Sequence, residues 1–273
     1  MPAPSDPIPD ALLDTLTDVA HEAASAAAAV LADRFGHTTA DVGTKSSPTD
    51  MVSDADRAAE TSVGEIITAR RPDDAMLGEE GTSRPGTTGV RWVVDPLDGT
   101  TNYLYGVPAF GVSVAAEIAG RTVVGVVADP ARGETWAATR GRGATLNDRP
   151  LQLAPDTDGL QRALVATGFS YLRERRATQA ALLATILPAV RDIRRFGAAA
   201  IDLCWVAGGR VSAFYEWGLA PWDHAAGALI ATESGAEAAT LPDGTMLCAA
   251  PGLFAPLRDL LERAASARSA AVH

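Results

Sequence analysis

Apolar positions in this chain change period along its length, and the changes divide it into elements. Over 8–35 they recur at helical spacing, many of them alanine, which predicts a long helix stopping near Gly36. Its run "HEAASAAAAVLA" (21–32) is too short and too weakly apolar to span a bilayer, so it reads as a surface helix with an Ala-rich buried face. "DADRAAETSVGEIITAR" (54–70) predicts a second amphipathic helix with Asp54 near its N-cap. "AMLGEE" (75–80) predicts a short strand ending in acid, and "VRWVVDPLDG" (90–99) a buried strand with a sharp stop. The runs "AFGVSVAAEIAG", "RTVVGVVADP" and "GETWAATR" are β-rich with turns between them and predict an antiparallel meander.

From about residue 160 strands and helices alternate: strand 163–169, helix 177–190, strand 192–197, helix 198–207, strand 211–217. A helix beginning at Asp223, short strands around 236–250 and a C-terminal helix from 253 complete the pattern. The fold class is therefore α/β, with layered sheets and helices. No linker, repeat or low-complexity tract divides the chain. We expect one domain over 1–273, with a 1–155 half and a 156–273 half packed closely together.

Composition narrows the function. The chain has 273 residues, 47% hydrophobic, enough for a large core. The net charge of −11 disfavours nucleic-acid phosphates as partners, although metal-binding carboxylates would also contribute to that number. Cys204 and Cys248 lack CxxC spacing and read as small core residues, which fits a reducing cytoplasm. The start of the chain is acidic, so no signal peptide and no membrane partner are expected.

Four acids stand out by position. Glu79, Asp95, Asp98 and Asp223 each fall where a strand or turn meets Gly, Pro or a helix start, and such junctions gather ligands in open α/β sheets. Taken singly, Asp before Gly is ordinarily a turn residue, Glu79–Glu80 a solvated pair and Asp223 a helix cap. Their joint placement points to a hard-cation site of the Mg²⁺ type, completed by substrate phosphate oxygens. The backbone amides of Gly99 onward suit an anion beside it. The haloacid-dehalogenase signature is excluded, because Pro96 occupies the nucleophile position and the only lysine, Lys45, lies upstream. GxSxG, Walker and HExxH motifs are absent, and His21, His37, His224 and His273 show no ligand spacing.

The motifs "KSSPTDMVSDAD", "GEE", "DPLDGTTNYLYG", "RRFGAAAIDLCWVAGGR" and "YEWGLAPWDHAAGALIATESGA", in this order, resemble the inositol monophosphatase family of lithium-sensitive phosphatases. The resemblance implies an αβαβα sandwich of the fructose-1,6-bisphosphatase/inositol monophosphatase type and a homodimer. It implies two or three Mg²⁺ per site, Mn²⁺ as a substitute and Li⁺ as an inhibitor. Glu79, Asp95, the Leu97 carbonyl, Asp98 and Asp223 would be metal ligands. The Gly99 and Thr100 amides would bind phosphate. Glu79 and the Thr100 hydroxyl would orient the attacking water, with Asp56 beside them and Lys45 and Asp50 on a covering loop. Asp98, Gly99, Thr100, Gly197, Ala198, Ala199, Glu216 and Asp223 would face a small phosphorylated substrate.

The implied reaction is hydrolysis of myo-inositol 1-phosphate and related small phosphomonoesters, without a covalent intermediate. Thr101-Asn102 favours the inositol branch over the nucleotide branch, which tends to carry Lys-Glu there. Ala198 lacks the hydroxyl common at its position, Phe169 stands where some members carry Ser, and "ESGA" (233–236) is a packing variant. Fructose-1,6-bisphosphatase, histidinol-phosphatase and nucleotide 3′-phosphatase activities stay open; a bisphosphate would need a second anion site, for which Arg194 and Arg195 are the candidates. A non-enzymatic role in a protein or RNA complex is the alternative of a different class.

Overall fold

The computed structural model describes residues 8–36, 43–44 and 51–271. Lys45, Asp50 and the loop expected to cover the site lie outside the described residues. Helix α1 (Asp10–Arg34) is followed by the two-residue strands β1 (Gly43–Thr44) and β2 (Met51–Val52) and by helix α2 (Asp54–Arg70). Strands β3 (Ala75–Gly78), β4 (Ser83–Arg84) and β5 (Val90–Asp98) lead into the short helix α3 (Thr100–Leu104). Then come β6 (Gly111–Ile118), β7 (Arg121–Asp129), β8 (Glu134–Thr139), β9 (Ala144–Leu146) and β10 (Arg149–Leu151). The second part runs β11 (Leu164–Thr167), α4 (Arg173–Ile186), β12 (Asp192–Arg194), α5 (Ala199–Ala207), β13 (Ala213–Trp217), α6 (Pro221–Ser234), β14 (Glu237–Thr240), β15 (Thr245–Ala249) and α7 (Phe254–Ala271).

An eight-stranded sheet has the order β10-β9-β8-β7-β6-β5-β3-β4, and a five-stranded sheet the order β12-β11-β13-β15-β14. The meander is antiparallel as expected, while β3 lies parallel to β5, and β11 parallel to both β12 and β13. Helices α1 and α2 cover one face of the large sheet. α5 and α6 fill the space between the two sheets, and α4 and α7 pack together on the outer face of the small one. The layers are therefore αβαβα.

Local sequence explains each layer. On α1 the buried face is Leu13, Leu16, Ala20, Ala23, Ala24, Ala27 and Leu31, and alanines let it lie close to α2. Asp54 opens α2 next to its N-cap, as expected; the cap itself is Ser53, which forms a reciprocal capping box with Asp56. β5 is buried at nearly every position because helices cover both faces of its sheet. On β7, Gly125 lets α6 rest directly on the sheet; a Cβ there would meet the Ala226 backbone at 2.8 Å. α4 starts at Arg173, four residues earlier than its apolar pattern suggests, because the charged turn before it propagates helix without needing burial. Its last turn, Leu187–Ala189, tightens to a 3₁₀ turn around Pro188, which has no N–H to give. Cys204 and Cys248 are both buried in the core between the sheets.

Candidate active site

Strand β5 pairs with β6 through Asp95 opposite Ser113 and Asp98 opposite Gly111, three steps against two. The extra residue is a β-bulge. In an unbroken strand, residues three apart face opposite sides; here the bulge brings Asp95 and Asp98 to the same cavity. Pro96 cannot donate to the ladder, and Asp95 Oδ1 accepts the Leu97 N–H at 3.0 Å instead.

The chain then turns at Gly99 with φ +92°, and a Cβ at this point would lie 2.9 Å from the Ala109 carbonyl oxygen. Both the backbone angle and the space require glycine. The buried Thr100 hydroxyl is shared between Asp56 Oδ1 at 3.0 Å and the Leu97 carbonyl at 3.1 Å. Asp56 Oδ2 accepts the Ser53 N–H at 2.9 Å and the Ser53 hydroxyl at 2.5 Å. The capping acid of α2 therefore also aims Thr100. Asn102 Nδ2 donates to the carbonyls of Ala109 and Phe196, each at 2.7 Å, and so ties α3 to the segment before α5.

The opposite wall comes from the second half of the chain. Asp98 Oδ2 accepts the Ala200 N–H at 2.6 Å, in the first turn of α5. Glu216, near the end of β13, lays its carboxylate over Gly168, where a Cβ would come within 1.9 Å of Oε2. Asp223 lies in the first turn of α6, and its Oδ2 accepts the Ala220 N–H at 2.7 Å. The Ser113 hydroxyl donates to the Trp222 carbonyl at 3.0 Å, which fastens the start of α6 to the strand opposite Asp95. Together these elements enclose a cavity of about 320 Å³, lined by Glu79, Asp95, Leu97, Asp98, Gly99, Thr100, Gly197, Ala199, Glu216 and Asp223.

The family model described as the inositol monophosphatase family matches residues 12–273. The chain belongs to the inositol monophosphatase family. The inositol-1-monophosphatase SuhB of Mycobacterium tuberculosis is 42% identical over 274 residues, covering 93% of this chain and 94% of that protein. The Nus factor SuhB of Pasteurella multocida is 39% identical over 225 residues, covering 82% of this chain and 84% of its own. The crystal structure of the extragenic suppressor protein suhB from Bartonella henselae superimposes with a TM-score of 0.82 at 36% identity, covering 91% of this chain and 97% of that one.

In this inositol monophosphatase family member the cavity concentrates negative charge. Burial pushes Asp95 well above the usual carboxylate range, and the charges of Glu79, Asp98 and Asp223 and a hydrogen bond with Glu79 push it further. Burial lifts Asp98 to about 7 despite the Ala200 N–H, with Glu79 and Glu216 adding to the rise. Burial also lifts Glu216 to about 7, opposed by Arg195 and reinforced by Asp223. Crowded carboxylates of this kind are relieved by a proton or by a cation. Among the described residues no three His, Cys, Asp or Glu side chains close into a preformed metal cage. Mg²⁺ does not demand one, because it keeps waters and takes phosphate oxygens to complete its octahedron. An all-oxygen, strongly anionic wall fits that ion.

The structure thus gathers the expected acids from both halves. Asp56 stands one layer behind the lining, at Thr100. Ala198 is buried and does not line the cavity; its Cβ lies 3.3 Å from where a Cβ on Gly99 would be, so it backs the turn. Of the paired arginines, Arg194 bonds to Asp192, whereas Arg195 lines the cavity and lies over Gly197. Arg175 was not foreseen. It lines the cavity from the first turn of α4 and stacks on Trp217 at 4.9 Å, and the only sequence signal was its place in a basic run. Asp202 was also missed: its buried carboxylate oxygens have no hydrogen-bond partner among the described residues, and burial pushes the carboxyl well up.

Proposed function

We propose that this protein is a Mg²⁺-dependent phosphatase hydrolysing myo-inositol 1-phosphate and related small phosphomonoesters. Membership of the family supports a phosphatase. The observation that carries the finer reading is the convergence of Glu79, Asp95, Asp98 and Asp223 on one cavity beside the Thr100–Asp56 pair. The two acids of β5, the Leu97 carbonyl, Glu79 and Asp223 would hold Mg²⁺, with Mn²⁺ as a substitute and Li⁺ as an inhibitor. The ion would neutralise charge on the phosphoryl group and the leaving oxygen.

The chain's own groups do the rest. Asp56 fixes the Thr100 hydroxyl, and Glu79 and Thr100 together orient a water for in-line attack. The Gly99 and Thr100 amides receive the phosphate, and Glu216 accepts a hydrogen bond from a ring hydroxyl. No side chain becomes covalently attached, so no activated nucleophile is needed. A homodimer follows from the same family likeness, and sedimentation would test it; the free, buried Cys204 and Cys248 support a reducing, cytoplasmic location. Among the described residues no helix is long and apolar enough to cross a membrane.

The test is phosphate release from a panel of inositol, sugar and nucleotide phosphates, with Mg²⁺ and with EDTA. We expect inositol 1-phosphate to be turned over fastest, and only with the metal. Turnover that survives EDTA would remove the metal reading, and preference for a nucleotide or a bisphosphate would replace the substrate. Relatives named Nus factor SuhB support a binding role as a second reading. Co-purification of a protein or RNA with an Asp98→Asn variant that lacks turnover would establish it.

A further inference from the structure

Glu60 belongs to none of the roles above, yet it is a carboxylate only 6% exposed, on α2 four residues after Asp56. Residues four apart share one face of a helix. The upper member of this face, Asp56, holds Thr100. The lower member reaches the loop that carries Glu79. Glu60 Oε1 accepts the backbone N–H of Glu80 at 3.2 Å and that of Thr82 at 3.4 Å.

That loop joins β3 to β4. The Gly78 N–H donates to the Thr82 carbonyl at 2.8 Å and closes it, and the Glu79 N–H donates to Val94 of β5 at 3.1 Å. Glu60 occupies the space beside it left open by Gly78: a Cβ on Gly78 would lie 2.1 Å from Oε1. A buried acid that accepts two loop amides costs desolvation, which its hydrogen bonds must offset. Any side chain at 78 would evict it.

We propose that Glu60 is a positioning residue for Glu79, so that one face of α2 braces both groups that orient water: Thr100 through Asp56 and Glu79 through Glu60. This rests on the phosphatase reading above. Glu60 touches no substrate; it sets where the Glu79 backbone sits between β3 and β5. Catalytic geometry tolerates little slack, and outer-shell partners of a site are commonly worth about 10–100-fold in activity or metal affinity.

The experiment compares Glu60→Met, which keeps length without a strong acceptor, with Glu60→Gln, which keeps Oε1 as an amide oxygen. Val63→Ala, one turn further along α2 and in the core, serves as the control for lost stability alone. Melting temperature, kcat and KM for inositol 1-phosphate, and Mn²⁺ affinity by electron paramagnetic resonance are read for each. We expect Glu60→Met to lose about 10–100-fold in kcat with KM little changed, and to bind Mn²⁺ more weakly. Glu60→Gln should restore both, and Val63→Ala should melt earlier with kcat near wild type. A folded Glu60→Met with the kcat and Mn²⁺ affinity of Val63→Ala overturns the proposal. Should Glu60→Met not fold, Glu60→Asp withdraws the acceptor by one methylene; a wild-type kcat in that variant also overturns it. A wild type inactive on every phosphate would sink the phosphatase reading instead. The Mn²⁺ comparison would then still decide whether Glu60 places Glu79.

Discussion

Asp98 and Ala200 are 102 residues apart in sequence and joined by a 2.6 Å hydrogen bond from the Ala200 N–H to Asp98 Oδ2. The acid that ends β5 is thereby a cap for α5, and the bond fastens the large sheet to the helices between the sheets. Its carboxyl is simultaneously lifted to about 7 by burial. One side chain serves fold and site together, and substitutions can separate the two.

Asp98→Asn keeps an oxygen for the Ala200 N–H and removes the charge. We expect its melting temperature to stay near wild type while kcat falls by about 10²-fold or more, the size of an electrostatic group lost at a reaction centre. Asp98→Ala should lose the same activity and, in addition, about 0.5–2 kcal/mol of stability as a missing cap. Equal stability losses in both variants would show that charge, not capping, holds α5 here.

Glu79 is half-buried and hydrogen-bonds Asp95. Glu79→Gln preserves shape while removing the charge and, on the proposed reading, the group that activates water. Steady-state kinetics should show kcat down by about 10²-fold, the scale of one general base, with circular dichroism unchanged. A near-normal kcat would move water activation to another group.

Glu216 lines the cavity, and on the proposed reading it meets a ring hydroxyl rather than the phosphate. Glu216→Gln should raise KM for inositol 1-phosphate by a factor worth about 1.5–3 kcal/mol, typical for a hydrogen bond to a charged group. p-Nitrophenyl phosphate, which has no ring hydroxyls, should be hydrolysed almost as before. Gly168→Ala should reproduce the effect, since its methyl would strike the Glu216 carboxylate. Equal damage with both substrates would reassign Glu216 to the metal site or the fold.

Stability without metal should fall as pH rises. Glu216 moves from 4.5 to about 7 and Asp98 from 3.8 to about 7 on folding, and Asp95 moves in the same direction. The folded state therefore holds protons more tightly than the unfolded one. The stability this contributes is full below about 4 and is lost as pH climbs through about 7. Asp202 and Asp129, also raised by burial, act in the same sense, whereas Asp74 and Asp192, held down by Arg71 and Arg194, and buried His224, whose pKa is lowered, act in the opposite sense. Thermal melts in EDTA should thus give a higher melting temperature at pH 5 than at pH 8, and Mg²⁺ at pH 8 should narrow the gap. A higher melting temperature at pH 8 in EDTA would show that these carboxyls are ionised without a cation.

Much was legible in the chain itself. Apolar periodicity located both long N-terminal helices, the meander and the alternating second half, because burial on one face is written locally every two or 3.6 residues. The motif "DPLDGTTN" marked Asp95, Asp98 and Thr100, because a Pro inside a strand and a Gly after an acid can each be read without knowing what lies opposite. What the sequence could not contain is which distant segments meet. That β5 bulges so that both acids face one way depends on its pairing with β6. That Ala198 backs Gly99 instead of lining the cavity, that Arg175 reaches the cavity while Arg194 turns to Asp192, and that Glu60 fills the space beside Gly78 are settled by packing between layers. Each is a contact between segments far apart in the chain, chosen by close packing of helices against sheets, and no local pattern of residues records it.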